Sequence, residues 1–248
     1  MLKYFSSQWG MFRSLAIYRW IPGRKRRLSR FYGKFIDSGD LCFDLGCHVG
    51  SRAAVWAKLG AQVVAIEPQQ KFFQLLIKRF SNNRSIEVLR AAIGQQNGEA
   101  SILVSDQTPT VSTLSEAWIE DVQRDRRFGK IKWNRRENVP LYTLDHLIKA
   151  YGRPAFCKID VEGYEEEVLQ GLTEPLPMVS FEYIPVTKDR AIRCIDYLSG
   201  LGDYVFNWSQ TESMRFQSGR WFSRDEMVAV LKALPLKDKS GDIYACLV

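Results

Sequence analysis

Acids sit near the ends of several short apolar runs in this 248-residue chain, a placement that lets carboxylates converge on one ligand. The first stretch is Asp44-Leu45-Gly46-Cys47-His48-Val49-Gly50-Ser51, where an apolar run turns into a helical pattern. Gly46 and Gly50 permit close backbone approach, because a Cβ would block it. The spacing is DxGxxxG, not the GxGxxG that seats a pyrophosphate on a helix N-terminus, and Asp44 would repel a phosphate. A cationic ligand fits better, such as the sulfonium and amino group of S-adenosylmethionine. The second stretch is Glu67-Pro68, 17 residues past Gly50. One strand over from the glycine turn, Glu67 can accept both ribose hydroxyls of a nucleoside, at about 1.5–3 kcal/mol per charge-assisted bond. The third is Lys158-Ile159-Asp160-Val161-Glu162-Gly163-Tyr164-Glu165, and Glu182 closes the next apolar run. Asp160, Glu162 and Glu182 thus reach one pocket, where acids are costly unless used. With His48 they are the candidates for a general base, Asp160 first. Glu165, Glu166 and Glu167 are read as complementing a helix N-terminus. No metal is assigned: a divalent ion would rest on those three acids alone. Five scattered cysteines without a CxxC pair, and two histidines, supply a zinc site poorly.

These side chains need a scaffold that brings strand ends together. Leu41–Leu45, Gln62–Glu67, Ile86–Ala91, Ala155–Asp160 and Met178–Glu182 read as buried strands. Helical patterns occupy 51–59, 69–80, 144–150, 187–199 and 224–234, with Thr143 as an N-cap. Strands alternating with helices predict an α/β, doubly wound, mostly parallel Rossmann-like sheet with right-handed crossovers. Tyr204–Trp208 and Asp242–Val248 add a late hairpin, so the C-terminal strand is expected to be antiparallel at one edge. Ala100–Val104 and Val139–Tyr142 are expected to pair. The polar stretch 105–138 between them is expected to be a lid or insertion.

The composition is that of a globular protein, with 46% apolar and 25% charged residues, which excludes a disordered or collagen-like chain. Charge is unevenly placed. Residues 1–36 hold nine Lys and Arg and no acid, so the remaining chain carries a net −2 out of the total +7. Within them Phe5, Trp9, Phe12 and Ala16 recur at helical spacing, ending near Pro22-Gly23. The domain reading is therefore a basic amphipathic arm over 1–36 and a Rossmann-like domain over 37–248. The arm could pack on the body, pair two copies, or touch a membrane surface. Scattered thiols, no signal pattern and no run of about 18 apolar residues point to a cytoplasmic protein, with membrane association left to the arm.

The order of these motifs resembles the FkbM-type family of S-adenosylmethionine-dependent methyltransferases. The resemblance covers about residues 38–185 and includes Asp44–Gly50, Glu67-Pro68, Arg90-Ala91-Ala92-Ile93-Gly94, Gly98-Glu99-Ala100, Thr143-Leu144-Asp145 and Lys158–Glu165. It implies that the glycine loop holds the methionine part of the cofactor and Glu67 the ribose. Residues around Ala92 and Ile93 would line the adenine, and Asp160 would face the reacting centre. Family members usually carry Ala-Asn where this chain has Cys47-His48, which leaves cofactor and acceptor both open as partners of His48. The implied reaction is methylation of a hydroxyl on a sugar, glycan or natural product. An RNA methyltransferase is the rival within enzymes. Against it, no Pro-Pro-Tyr follows Asp160, and the basic residues cluster at one end. A non-catalytic cofactor-binding scaffold docking through the arm is the rival from another class.

Overall fold

The computed structural model describes residues 23–125, 128–211 and 213–248. The apolar periodicity of residues 5–16 lies outside them.

Seven strands form the main sheet: β1 (Leu41–Leu45), β2 (Gln62–Ile66), β3 (Ile86–Leu89), β7 (Phe156–Ile159), β8 (Met178–Tyr183), β9 (Tyr204–Gln210) and β10 (Gly241–Leu247). Their spatial order is β3-β2-β1-β7-β8-β10-β9. The first five are parallel, with Asp44 opposite Ala65 on β2 and Lys158 on β7. β10 runs antiparallel to both β8 and β9, so the edge hairpin places the C-terminal strand inside and β9 outermost. The chain order reverses between β1 and β7, which opens a crevice at their carboxyl ends.

Two helical layers cover the sheet. On one face lie α1 (Arg24–Tyr32), α2 (Ser51–Leu59) and α3 (Gln70–Phe80). On the other lie α5 (Leu144–Tyr151), α6 (Glu165–Gln170), α7 (Lys188–Leu201) and α8 (Arg224–Ala233). Alternate faces of the buried strands feed both layers. Phe43 and Leu45 pack toward the α5–α8 side, Cys42 toward the α1–α3 side. The described end of the basic arm packs on the body. Tyr32 of α1 meets Trp56 edge-on at 5.3 Å, and Phe31 meets Tyr244 of β10 at 5.4 Å. Helix ends follow their capping residues: Thr143 accepts from the His146 N–H, and Ser223 with Glu226 forms a capping box.

A second sheet departs from the expected pattern. It joins β4 (Ala92–Ile93), β6 (Arg135–Tyr142) and β5 (Gly98–Val104) in the order β4-β6-β5. The expected pairing is present, with Ala100 opposite Val139, but β6 starts four residues before Val139. Its first half, Arg135-Arg136-Glu137-Asn138, alternates in exposure without a single apolar residue. Ion pairs replace apolar packing there: Arg135 with Asp106 and Glu137, and Arg136 with Glu116. Apolar periodicity cannot reveal such a strand. The polar stretch before it contains α4 (Glu116–Gln123), whose Trp118 and Val122 are buried.

Candidate active site

A pocket opens at the carboxyl end of the main sheet, where β1 and β7 diverge. The β1–α2 turn contributes Gly46, Cys47, His48 and Arg52; the end of β2 contributes Glu67, Pro68 and Gln69. Ala92 and Ile93 of β4 form an apolar wall with Ile102, and Asp160 and Glu162 close the β7 side. Pro109, Thr110, Ser112, Thr113 and Leu114, from the expected lid, supply much of the remaining wall. The Thr113 hydroxyl donates to the Glu162 carbonyl at 2.6 Å, and the Gln69 amide donates to the Pro109 carbonyl at 3.1 Å. The segment is thereby fastened to both sides of the pocket.

Among the described residues, three of the sequence candidates do not line this pocket. Asp44 is buried beneath the turn, and its Oδ2 accepts from the Ala53 N–H at 3.2 Å. Gly50 caps α2 with φ 68, and a Cβ there would come 2.6 Å from the Phe80 ring, so its role is packing. Gly46 does line the pocket, but its φ of 75 and the Asp160 carbonyl 1.9 Å from its would-be Cβ show a second constraint: two strand ends meet there. Glu182 lies deeper, at the end of β8 beside Glu165 and Trp118. Its carboxylate still approaches the reacting side: ligand atoms of Asp160, Glu162 and Glu182 all lie within 4.8 Å of one another, close enough for a divalent cation to bridge.

The electrostatics divide the pocket in two. At the β2 end, Glu67 is 2% exposed and accepts two backbone N–H groups, from His48 at 2.9 Å and Gln69 at 2.9 Å. Burial pushes its carboxyl up to about 7 despite those bonds. At the β7 end, burial raises Asp160 too, but Lys158 at 3.2 Å and Arg52 at 3.4 Å outweigh it and hold the carboxyl below its ordinary range. Glu162 and Glu182 move the other way, raised well above the usual carboxylate value by burial and by neighbouring acids. Burial lowers His48 to about 4, so its imidazole is neutral at pH 7; the ring rests against Phe72 at 4.1 Å. His48 and Glu162 are both non-glycine residues with positive φ, 50 and 55, and both border the pocket. Backbone strain of this kind gathers where a site is held in a set shape.

Residues 44–191 match the family described as the Methyltransferase FkbM domain, well over half of the chain. The chain belongs to the FkbM methyltransferase family. A relative named hexuronic acid methyltransferase AglP, from Haloferax volcanii, is 25% identical over 155 residues, 60% of this chain and 57% of that protein. The chain therefore matches little more than half the length of that relative. A TehB-like S-adenosylmethionine-dependent methyltransferase from Corynebacterium glutamicum superimposes with a TM-score of 0.51 at 11% identity, covering 99% of both chains. That likeness concerns the fold.

Membership of the FkbM family makes S-adenosylmethionine the cofactor, and the pocket's donor set agrees. The Glu67 carboxylate has about four lone-pair sites, and two backbone bonds leave room for a diol. Ala92, Ile93 and Ile102 offer an apolar wall to a base. Asp160, held ionised, favours a cation beside it.

Sequence reasoning missed three members of the site. Arg52 pairs with Asp160 from the first turn of α2, where a cation opposes the helix dipole, and that misplacement was the available signal. Lys158 is fully buried and also bonds Asp242 of β10 at 2.8 Å. A lysine inside an apolar strand is such a signal too, since buried lysines need partners. Asp242, 84 residues away, had none. Trp118 and Trp133, from the polar stretch 105–138, do not line this pocket. Trp118 is 1% exposed against Gly163, and the Trp133 N–H donates to the Val111 carbonyl at 2.7 Å.

Proposed function

We propose that this protein transfers a methyl group to a hydroxyl oxygen of a sugar, with an acidic sugar as the first class to test. Two considerations support the oxygen. The relative AglP is named for hexuronic acid, whose methylatable atoms are oxygens. A hydroxyl is a weak nucleophile and needs a positioned base, and Glu162, with its carboxyl raised by burial and neighbouring acids, lines the pocket.

The bound cofactor supplies an electrophilic sulfonium methyl. Glu67 would hold its ribose, the Gly46–His48 turn its methionine part, and Ala92 and Ile93 its adenine. Asp160, kept ionised by Lys158 and Arg52, stabilises positive charge at the reacting end. The same cations make it a poor base. Glu162 lines the pocket and holds protons far more tightly, so it is the preferred acceptor of the hydroxyl proton, with Glu182 behind it. This revises the sequence ranking, which placed Asp160 first. The observation that carries the reading is the cluster at the β7 end: Asp160 paired with Lys158 and Arg52, beside Glu162 and Glu182, whose carboxyls are raised by burial and by neighbouring acids.

The test is a labelled-methyl assay on soluble hexuronic acids and their glycosides, with product masses read by fragmentation. A methyl ether on the sugar supports the reading, and a methyl ester on its carboxylate, which needs no base, contradicts the hydroxyl assignment. Transfer to RNA or to an amine, with no sugar methylated, contradicts it.

A further inference from the structure

A groove of about 700 Å³ runs between α1, α2 and α3, and joins the pocket at Arg24, Val49 and Ser51. Its floor is apolar, with Leu28, Val55 and Leu75, and its rim carries Lys25, Lys58 and Lys78. All three lysines are exposed, and no acid lines the groove among the described residues. α1 extends the pattern outward with exposed Arg26, Arg27 and Arg30, and has no acid in its first turn. Ile77 of α3, next to Lys78, is one of three large apolar side chains left exposed among the described residues, at 48%.

Cations alone would describe a solvated face. Cations ringing an apolar floor match a different partner, one with anionic groups outside and hydrocarbon beneath. We propose that this face docks on an anionic phospholipid bilayer, with the α1 cations at the headgroups and the groove receiving apolar lipid. Charge decides between occupants. Residues 1–22 bring Lys3, Arg13 and Arg19 and no acid, so they add to the positive field instead of neutralising it. RNA would satisfy the cations but leave half-buried Leu75 and exposed Ile77 without an apolar partner. The inference does not depend on the methyl-transfer reading, because none of the six cations lines the active-site pocket.

The test is co-sedimentation of the full chain with vesicles of phosphatidylcholine alone and of phosphatidylcholine mixed with phosphatidylglycerol. Binding is expected to the mixed vesicles only, and to fall as salt is raised. Replacing the rim together (Lys25→Glu, Lys58→Glu, Lys78→Glu) should weaken it at least about tenfold, since each cation near such a surface contributes on the order of 1 kcal/mol. The set Arg26→Glu, Arg27→Glu, Arg30→Glu should do the same, with unchanged far-ultraviolet circular dichroism. Leu75→Glu should weaken binding while Leu75→Met does not. Equal binding to neutral vesicles, no binding at all, or binding insensitive to both charge-reversal sets would overturn the proposal. So would Leu75→Glu without effect, which would give the groove to another occupant such as residues 1–22. Loss of RNA binding in the charge-reversal sets, with no vesicle binding by the parent chain, would make this a nucleic-acid face.

Discussion

The two ends of the active-site pocket treat their carboxylates in opposite ways. At the β2 end Glu67 is solitary, and both its oxygens are occupied by backbone N–H groups that fix its orientation. At the β7 end Asp160, Glu162 and Glu182 crowd together, and Lys158 and Arg52 form ion pairs with the first of them. A solitary, oriented acid suits holding a ligand. A crowded set, one ionised and two raised, suits moving a proton, because their affinities are pushed apart. Binding and chemistry should therefore separate by substitution.

The largest effect is expected from Glu162→Gln. Loss of a positioned base should lower turnover by about 10²–10⁴-fold while cofactor affinity stays within a few-fold. In the parent protein the rate should rise with pH as Glu162 loses its proton, and the variant should lose that rise. Single-turnover rates across pH would show it. A proportionate loss of affinity would merge the two ends.

Next is Lys158→Met. It leaves buried Asp242 and half-buried Asp160 without their shared cation, and breaking a buried pair costs about 3–5 kcal/mol. Denaturant unfolding should show a loss of that size. A change below about 1 kcal/mol would mean that Arg52 and water suffice to hold Asp160.

Glu67→Ala should weaken S-adenosylmethionine at least about tenfold, near 1.4 kcal/mol, with turnover at saturation little changed. Here the binding end is broken and the chemical end left intact.

The smallest effect sharpens the electrostatic side. One oxygen of Glu165 accepts from both Val161 and Gly163 N–H groups at 3.2 Å, so glutamine can keep both bonds. Burial pushes this carboxyl up to about 7. The native state then binds more protons than the unfolded one between about pH 4.5 and 7, and stability falls as pH rises through that window. Glu165→Gln should accordingly raise the melting temperature by a few degrees at pH 8 and hardly at pH 4. Equal melting temperatures at pH 8 would show that the charge carries no penalty there.

The main sheet was legible because β1, β2, β7 and β8 are short apolar runs bounded by glycines, prolines and acids. Their parallel order follows from the helices between them. The first half of β6 was not legible, because Arg135–Asn138 is held by ion pairs that leave no hydrophobic period. The site divides similarly. Glu67, Asp160 and Glu162 could be placed from strand ends alone. The roles of Asp44 and Gly50 could not, since a buried N–H acceptor and a packing glycine look the same in sequence as ligand contacts. Which acid stays ionised depends on Arg52 and Lys158, whose approach to Asp160 only the folded chain brings about.

The separation of the two ends is tested most directly by calorimetric titration of S-adenosylmethionine into the parent protein, Glu67→Ala and Glu162→Gln, with turnover measured on the same samples. Weakened binding is expected only in Glu67→Ala, and collapsed turnover at saturating cofactor only in Glu162→Gln. Parent protein that does not bind, or two variants that lose binding and turnover together, would contradict it.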